Sequence, residues 1–279
     1  MTLVLAVVRD EEIHLMADTL ISFDARLGRK PYHALKILSL SSITVLAFSG
    51  GHEHAMHIFF DLFSVRAHEL EIFELAKLIE HLRSQISSRF PSSDEVPDFL
   101  IASTTPNICV YRINDHGVSL CSSFGWIGNP QAASYISKNI HQDAQCNFSS
   151  VFRKMVCDEI FGDVGGHVVR MRGTEAGFKF MPCMRLVSPR YILVEGWNTV
   201  DFGNAESGGY GFTSITPCES GKNGYGIFFF QGKLGHFFHV NPATRIGETL
   251  IAYALNSSEF IRIIEREVGF SLVHCGSLG

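Results

Sequence analysis

One threonine near the start of the chain has the type and position of a hydroxyl nucleophile. Thr2 carries a side-chain hydroxyl. Removal of Met1, expected before so small a second residue, would add a free α-amine with an ordinary pKa of about 7.7–8.0. One residue would then supply both the nucleophile and its base. A threonine at position two is also a commonplace start to a strand, so this hypothesis depends on the residues around it.

Three further residues could complete such a site. Asp18 ends the second strand of a predicted hairpin and Lys36 lies on the third strand, so both can meet Thr2 at one end of a sheet. A buried Lys36 ammonium would lower the pKa of the threonine hydroxyl and amine, and Asp18 would keep that lysine charged and oriented. Gly50 follows the fourth strand, where a backbone N–H could face a developing oxyanion. Taken singly, each also fits a turn or a solvated strand edge.

The elements that would position these residues follow from hydrophobic periodicity. Residues 3–8 and 13–18 predict one buried hairpin, and residues 35–40 and 43–48 predict a second. Later segments alternate between the hydrophobic periodicity of helices and that of strands. Helices are predicted over 54–68, 70–90, 130–140 and 149–161, the last capped by Ser149 or Ser150, and strands over 99–102, 108–111, 118–124, 167–172 and 178–184. This order predicts an α+β fold, a four-layer αββα sandwich with two sheets between helical layers.

The pattern changes after about residue 186. Strands are predicted over 191–194, 210–215, 226–231 and 234–240, linked by glycine-rich turns. Two helices are expected to follow, one starting at Asn241-Pro242 and one at Ser257 or Ser258. We therefore divide the chain into a domain over 1–185 and a C-terminal extension over 186–279, expected to pack on the same core.

Four short segments resemble the N-terminal half of proteasome β-subunits and of their bacterial relatives, the HslV-type and ancestral β-subunit-type peptidases of the Ntn-hydrolase superfamily. The segments are Thr-Leu-Val at 2–4, Met-Ala-Asp-Thr at 16–19, Leu-Lys-Ile at 35–37 and Ala-Phe-Ser-Gly-Gly at 47–51. The separations of Thr2 from Asp18 and of Lys36 from Gly50 match the family, and the loop between Asp18 and Lys36 is slightly longer. The resemblance extends over residues 2–184.

The resemblance implies a threonine-type peptidase or amidase without a cofactor or metal. Thr2 would be the nucleophile, Asp18 and Lys36 its activating pair, and Gly50 the oxyanion donor. The substrate cleft would be lined by Ile21, Ser22, Phe48 and His52, with Ile21 and Phe48 shaping the pocket for the residue before the scissile bond. The cluster His52, His54 and His57 fits the start of a helix better than a metal site.

The later segments depart from the family pattern. Ile127 stands where the family has an active-site serine, and Phe161 and Val164 stand where it has an aspartate and a serine. Asp158 and Asp163 are both candidates to replace that acid. Two alternatives therefore remain: a catalytically inactive, proteasome-like structural or binding subunit, and an unrelated α/β sandwich in which the early motif is coincidental.

Composition limits the partners and the location. The 279 residues are 46% hydrophobic and include 23 Phe, which favours buried contacts between subunits, and the resemblance implies a homo-oligomer, a ring or related assembly, with a possible ATPase partner. A net charge of −5 without a basic run argues against nucleic acid. No apolar stretch approaches the ~20 residues of a membrane span. Seven cysteines without a CxxC pair, and a start unlike a signal peptide, predict a cytoplasmic protein.

Overall fold

The computed structural model describes most of the chain, as three large antiparallel sheets, a two-stranded ribbon and helices. The described residues are 3–21, 32–65, 67–89, 96–142, 148–158, 160–184, 212–219, 221–241, 243–244 and 246–274. Thr2 and Ser22, two residues of the predicted site, lie outside these ranges, as does the strand predicted over 191–194. Helices and antiparallel sheets occur throughout the described part, which confirms the predicted α+β class.

The first sheet, called sheet I, is built around the predicted N-terminal hairpin. Its strands are β1 (Leu3–Arg9), β2 (Glu12–Asp18), β10 (Phe124–Gly128), β11 (Val168–Thr174) and β12 (Gly177–Met181), in the order β10-β1-β2-β11-β12. Asp10 and Glu11 turn the chain between β1 and β2 with φ of 51° and 59°, a turn whose twist matches that of a hairpin. The end of β2 places Asp18 opposite Val168 of β11.

The second sheet, called sheet II, contains the second predicted hairpin. Its strands are β5 (Ile37–Ser39), β6 (Thr44–Ser49), β7 (Asp98–Ser103), β8 (Cys109–Asn114) and β9 (Gly117–Cys121), in that order. Lys36 was predicted on the third strand and instead immediately precedes β5. A separate two-stranded ribbon joins β3 (Leu20–Ile21) to β4 (Tyr32–His33).

The described part of the chain contains five α-helices. They are α1 (His52–Ser64), α2 (Ile72–Arg89), α3 (Pro130–Gln142), α4 (Phe148–Cys157) and α5 (Ser257–Val268), with a short 3-10 helix at Ala67–Glu69. Alternation along β1 sends Leu5 into an apolar cluster with Phe152 of α4, and Val4 into the cluster that holds Leu46 of sheet II. Helix α1 contacts β6, and α2 contacts β7, β8 and β9. No helix within the described ranges is both long and apolar enough to cross a membrane.

A third sheet, called sheet III, is formed mainly by the C-terminal region. Its strands are β13 (Cys183–Met184), β14 (Phe212–Pro217), β15 (Asn223–Phe229), β16 (Leu234–Val240), β17 (Ile246–Tyr253) and β18 (Leu272–His274), in the order β13-β17-β16-β15-β14-β18. Phe228 and Phe237 form a cluster with Phe260 of α5. Phe229 and Phe238 belong to the large cluster of sheets I and II, so sheet III lies between α5 and the rest of the protein.

The helix predicted to begin at Asn241 is wrong. The Asn241 side chain does accept from the backbone N–H groups of Ala243 and Thr244, at 3.0 and 3.2 Å, as an N-cap would. These bonds close a turn, and strand β17 follows, paired with β16 along seven residues. Only one of the two expected C-terminal helices, α5, is therefore present in the part of the chain that the structure describes.

One of the two remaining helix starts agrees with the prediction, and one predicted cap does not. Helix α5 begins at Ser257, as predicted, after the cap residue Asn256, whose side chain accepts from Glu259 N–H at 2.9 Å. Helix α4 begins at Phe148, so Ser149 and Ser150 lie within its first turn and are not its cap.

Candidate active site

Lys36 and Asp18 form a fully buried ion pair at the end of the first hairpin. Lys36 Nζ lies 2.9 Å from Asp18 Oδ1, and both side chains are 0% exposed. Nζ also donates to the Leu20 carbonyl oxygen at 2.5 Å. The Lys36 carbonyl accepts from Phe48 N–H at 3.0 Å, which fastens the backbone of Lys36 to β6. The two predicted activating residues are thus brought together.

The Asp18 carboxylate joins three parts of the chain. Besides Lys36, its Oδ1 accepts from Leu3 N–H at 3.0 Å, and its Oδ2 accepts from Gly165 N–H at 3.0 Å. Hydrogen bonds from several donors stabilise the ionised carboxylate. Asp18 therefore ties Lys36 to the first residue of β1 and to the segment that leads into β11.

Burial and neighbouring carboxylates act on Lys36 in opposite directions. Burial lowers the pKa of Lys36, while Asp18 and then Asp163 raise it. A buried ammonium without partners would lose its proton to avoid the cost of desolvation. The two carboxylates therefore decide how much of the positive charge survives at neutral pH.

Asp163 is held beside this site by a residue that the sequence analysis did not single out. The Asn129 amide nitrogen donates to both Asp163 carboxylate oxygens, at 2.8 and 3.0 Å. The amide oxygen of Asn129 accepts from Ala132 N–H at 2.9 Å and so caps α3. Asp158, the other candidate for the second acid, is exposed just after α4. The sequence does carry a signal for Asn129, because an Asn-Pro pair commonly opens a helix.

Gly50 occupies a backbone conformation that favours glycine. It lies between β6 and α1 with φ of 102°, and a Cβ there would sit 3.1 Å from Pro97 Cα and 3.2 Å from Val96 O. Both the dihedral and the space restrict this position. The predicted role for Gly50 thus falls on a constrained turn beside the buried pair.

Three of the four predicted cleft residues lie in the described part of the chain and border the same region. His52 is the first residue of α1, and its ring stacks on Phe48 with centroids 5.7 Å apart. Burial first, and Lys36 second, lower the pKa of His52 to about 4, so this imidazole is neutral at physiological pH. Ile21 is buried at the end of β3. Histidines 52, 54 and 57 lie in α1, and no group of three or more His, Cys, Asp or Glu in the described ranges could hold a metal ion.

The residues at the three departures from the family pattern are packed in apolar surroundings. Ile127 is 1% exposed and Val164 is 2% exposed, and each belongs to a hydrophobic cluster. Phe161 packs edge-on against Tyr135 of α3, with centroids 6.0 Å apart. None of the three can supply a proton or a charge.

Two other groups at the site had not been expected. Thr19 Oγ1 accepts from His167 N–H at 2.8 Å, which fastens the end of the first hairpin to the start of β11. The Leu20 carbonyl that accepts from Lys36 belongs to the main chain, and such an acceptor cannot be recognised from the residue type. Such a group is found only from the path of the backbone.

Comparison with known proteins fixes the fold. No protein-family model matches the sequence, and no curated protein matches it. Among solved structures, a Gly-1 mutant of Anbu from Hyphomicrobium sp. strain MC1 is similar with a TM-score of 0.50 and 11% identity, over 65% of this chain and 85% of that one. The chain has a proteasome-type Ntn-hydrolase fold. Eukaryotic HslV from Trypanosoma brucei is also similar, with a TM-score of 0.43 and 11% identity, over 61% of this chain and 98% of that one.

This Ntn-hydrolase fold confirms the resemblance on which the site prediction was based. The alternative of an unrelated α/β sandwich is therefore wrong. At 11% identity the likeness concerns the fold, and the chemistry of this chain has to be argued from its own residues.

Proposed function

We propose that the protein is an N-terminal-nucleophile threonine peptidase or amidase that acts through an acyl-enzyme on Thr2 after removal of Met1. The observation that carries this proposal is the buried Lys36–Asp18 pair, hydrogen-bonded to the N–H of Leu3. That nitrogen is bonded to the carbonyl carbon of Thr2. The Asp18 carboxylate therefore contacts the peptide group that joins Thr2 to Leu3.

The proposed reaction has two halves. Thr2 Oγ attacks the scissile carbonyl, and the α-amine takes the hydroxyl proton directly or through a water. The new oxyanion accepts from Gly50 N–H. The C–N bond then breaks, and the leaving amine receives the proton from the α-ammonium. In the second half, water gives a proton to the α-amine and adds to the ester. A carboxylic acid leaves, and Thr2 Oγ recovers its proton.

Lys36 and the two carboxylates supply the electrostatics of this proposal. The ammonium lowers the pKa of the Thr2 hydroxyl and amine, and Asp18 holds it in place. Asp163, presented by Asn129, is the second carboxylate whose charge raises the pKa of Lys36 and so opposes the lowering by burial. We assign the role of the missing auxiliary acid to Asp163, because Asp158 is exposed and the charge of Asp163 acts on Lys36.

The proposal also covers the substrate cleft, the domain division and the assembly. The substrate would extend along Ile21, Ser22, Phe48 and His52. Residues 1–185 would form the four-layer αββα domain, and residues 186–279 an extension packed on it. Exposed apolar side chains, Tyr253 at 63% and Leu255 at 73%, support subunit contacts in a cytoplasmic homo-oligomer, and an ATPase partner is compatible with that assembly.

A second candidate function is supported by a specific observation. The positions of the family's auxiliary serines hold Ile127 and Val164, both buried in apolar clusters. A catalytically inactive structural or binding subunit would tolerate these replacements.

Covalent labelling separates the two functions. A peptide epoxyketone or vinyl sulfone is expected to modify Thr2 of the wild-type protein and to leave Thr2→Ala unmodified. An unmodified wild-type protein with Met1 already removed would favour the inactive subunit. Thr2→Ser, which keeps a hydroxyl and an amine, is the matched control and should be modified.

A further inference from the structure

A buried histidine of sheet III is hydrogen-bonded to the strand that follows Lys36. Ser39 N–H donates to His236 Nε2 at 2.9 Å, across 197 residues of sequence. The His236 side chain is 0% exposed. The ring also makes an edge-on contact with Phe180 of β12, with centroids 6.3 Å apart.

This hydrogen bond provides an acceptor for a backbone N–H at the free edge of sheet II. Strand β5 is the terminal strand of that sheet and pairs only with β6 among the described strands. Sheet III covers the side of β5 that does not pair with β6. Ser39 is 4% exposed, so its N–H is shielded from water. A buried N–H without an acceptor is costly. His236 supplies the acceptor.

The histidine is neutral and held in one tautomer. Burial lowers the pKa of His236 to about 3. Because Nε2 accepts a hydrogen bond, the single ring proton lies on Nδ1. Nδ1 has no hydrogen-bond partner within the described part of the chain. An apolar side chain would avoid that cost but would leave Ser39 N–H unsatisfied.

Sheet III also braces two other segments that border the site. The Phe238 ring lies 5.3 Å from the His167 ring, and His167 N–H donates to Thr19, next to Asp18. Phe229 stacks on Phe59 of α1 with centroids 5.7 Å apart. Sheet III thus contacts β5 after Lys36, the segment leading into β11, and the helix that begins at His52.

We propose that sheet III is an integral support of the Lys36 site and that His236 is a positioning residue, which fixes β5 and thereby Lys36 against Asp18. The structural part of this proposal stands by itself. Its consequence for reactivity rests on the proposed function of Thr2.

Three variants test the proposal. His236→Leu keeps an apolar volume but removes the acceptor, whereas His236→Gln places an amide oxygen near the position of Nε2. His239→Leu is the matched control, because His239 is also buried on β16 but stacks on Phe237, on the α5 face of sheet III.

Amide hydrogen exchange at Ser39 is the first measurement. Loss of the acceptor should speed Ser39 exchange roughly tenfold to a hundredfold in His236→Leu. His236→Gln and His239→Leu should keep the wild-type rate. Unchanged exchange in His236→Leu, or an equal change in His239→Leu, would overturn the proposal. If the leucine variant does not fold, the glutamine variant decides alone, and loss of Ser39 protection in it would overturn the proposal.

The pH profile of Thr2 labelling by a peptide epoxyketone is the second measurement. The titratable groups that face Lys36 are Asp18, Asp163 and His52. A displaced Lys36 should shift the profile in His236→Leu but not in His236→Gln or His239→Leu. An unshifted profile alongside faster Ser39 exchange would overturn the positioning role. An unlabelled wild-type protein would overturn the proposed function instead, and Ser39 exchange would still test the support.

Discussion

At the residue scale, the proposed chemistry depends on whether Lys36 carries its proton. Desolvation disfavours the charge of a buried lysine, and nearby opposite charges counteract that effect, most strongly at hydrogen-bond distance. Asp18 meets that condition at 2.9 Å. The pair is costly to break, since removal of one partner leaves the other charge buried without compensation.

Lys36→Met tests that cost. The variant leaves the Asp18 carboxylate without its cation and should lower the free energy of unfolding by about 3–5 kcal/mol. Urea denaturation followed by circular dichroism measures the change. Lys179→Met, on an exposed position of β12, is the matched control and should change stability by under about 0.5 kcal/mol. Similar losses in both variants would contradict the buried pair.

Asp163→Asn tests the second carboxylate. Asp163 raises the pKa of Lys36, so its removal should lower that pKa and make Lys36 lose its proton at lower pH. The alkaline limb of the Thr2 labelling profile should therefore move to lower pH. Asp158→Asn, on the exposed carboxylate after α4, should leave the profile unchanged. An equal shift in both variants would contradict a specific effect of Asp163 on the pKa of Lys36.

Much of the site at this scale could be predicted from sequence, and the reasons for the gaps are physical. The spacing of Asp18 and Lys36 along two hairpins is enough to expect their contact. Asn129 has a helix-start signal, but its link to Asp163 spans 34 residues and depends on how two loops meet. The Leu20 carbonyl has no side-chain signature at all.

At the element scale, the turn between β6 and α1 shapes the site. Its residue Gly50 combines a positive φ with backbone atoms of Val96 and Pro97 close to the position that a Cβ would take. The backbone amide proposed to bind the oxyanion therefore has its direction fixed by a conformation that other residues rarely adopt.

Gly50→Ala should disturb this turn. The positive φ and the close contacts should lower the free energy of unfolding by about 1–3 kcal/mol and slow Thr2 labelling. Gly162→Ala is the matched control, because a Cβ there meets nothing within 4 Å. Thermal denaturation and labelling rates provide the readouts. Normal labelling by a folded Gly50→Ala protein would contradict the oxyanion role.

The helices and strands were predictable where a hydrophobic periodicity extends over a long segment. Both N-terminal hairpins and the helices over the two sheets match their predicted positions within a few residues. Strand β17 was mistaken for a helix because Asn241-Pro242 has the composition of a helix start. Its pairing with β16 along seven residues prevailed over that local signal.

At the scale of the whole molecule, buried histidines make the fold sensitive to acid. Burial lowers the pKa of His52 and His167 to about 4 and that of His236 to about 3, from an ordinary value of 6.5. Below pH 6.5 the unfolded chain therefore binds more protons than the folded one. Stability is complete above that pH and falls as the pH drops toward the folded-state values.

Urea unfolding at several pH values measures this sensitivity. Each of these histidines should remove up to about 1.4 kcal/mol per pH unit below pH 6.5. His236→Gln should reduce the slope by about that amount. His116→Gln, on an exposed turn residue, should not change it. A slope that is the same in wild type and His236→Gln would show that His236 titrates normally in the folded protein.

At this scale, the α+β class of the described residues could be predicted from the alternation of strands and helices, whereas the contacts of sheet III could not. Nothing in the sequence links His236 to Ser39, because the bond joins two distant strands through one ring nitrogen. Residues 186–279 were therefore predicted only as an extension packed on the same core.

The central claim is that Thr2 is an N-terminal nucleophile, and mass spectrometry after reaction with a peptide epoxyketone tests it most directly. We expect the wild-type protein to lack Met1 and to carry one adduct, which peptide mapping places on Thr2. Hydrolysis of a peptide substrate by protein that retains Met1, or by Thr2→Ala at the wild-type rate, would contradict the claim.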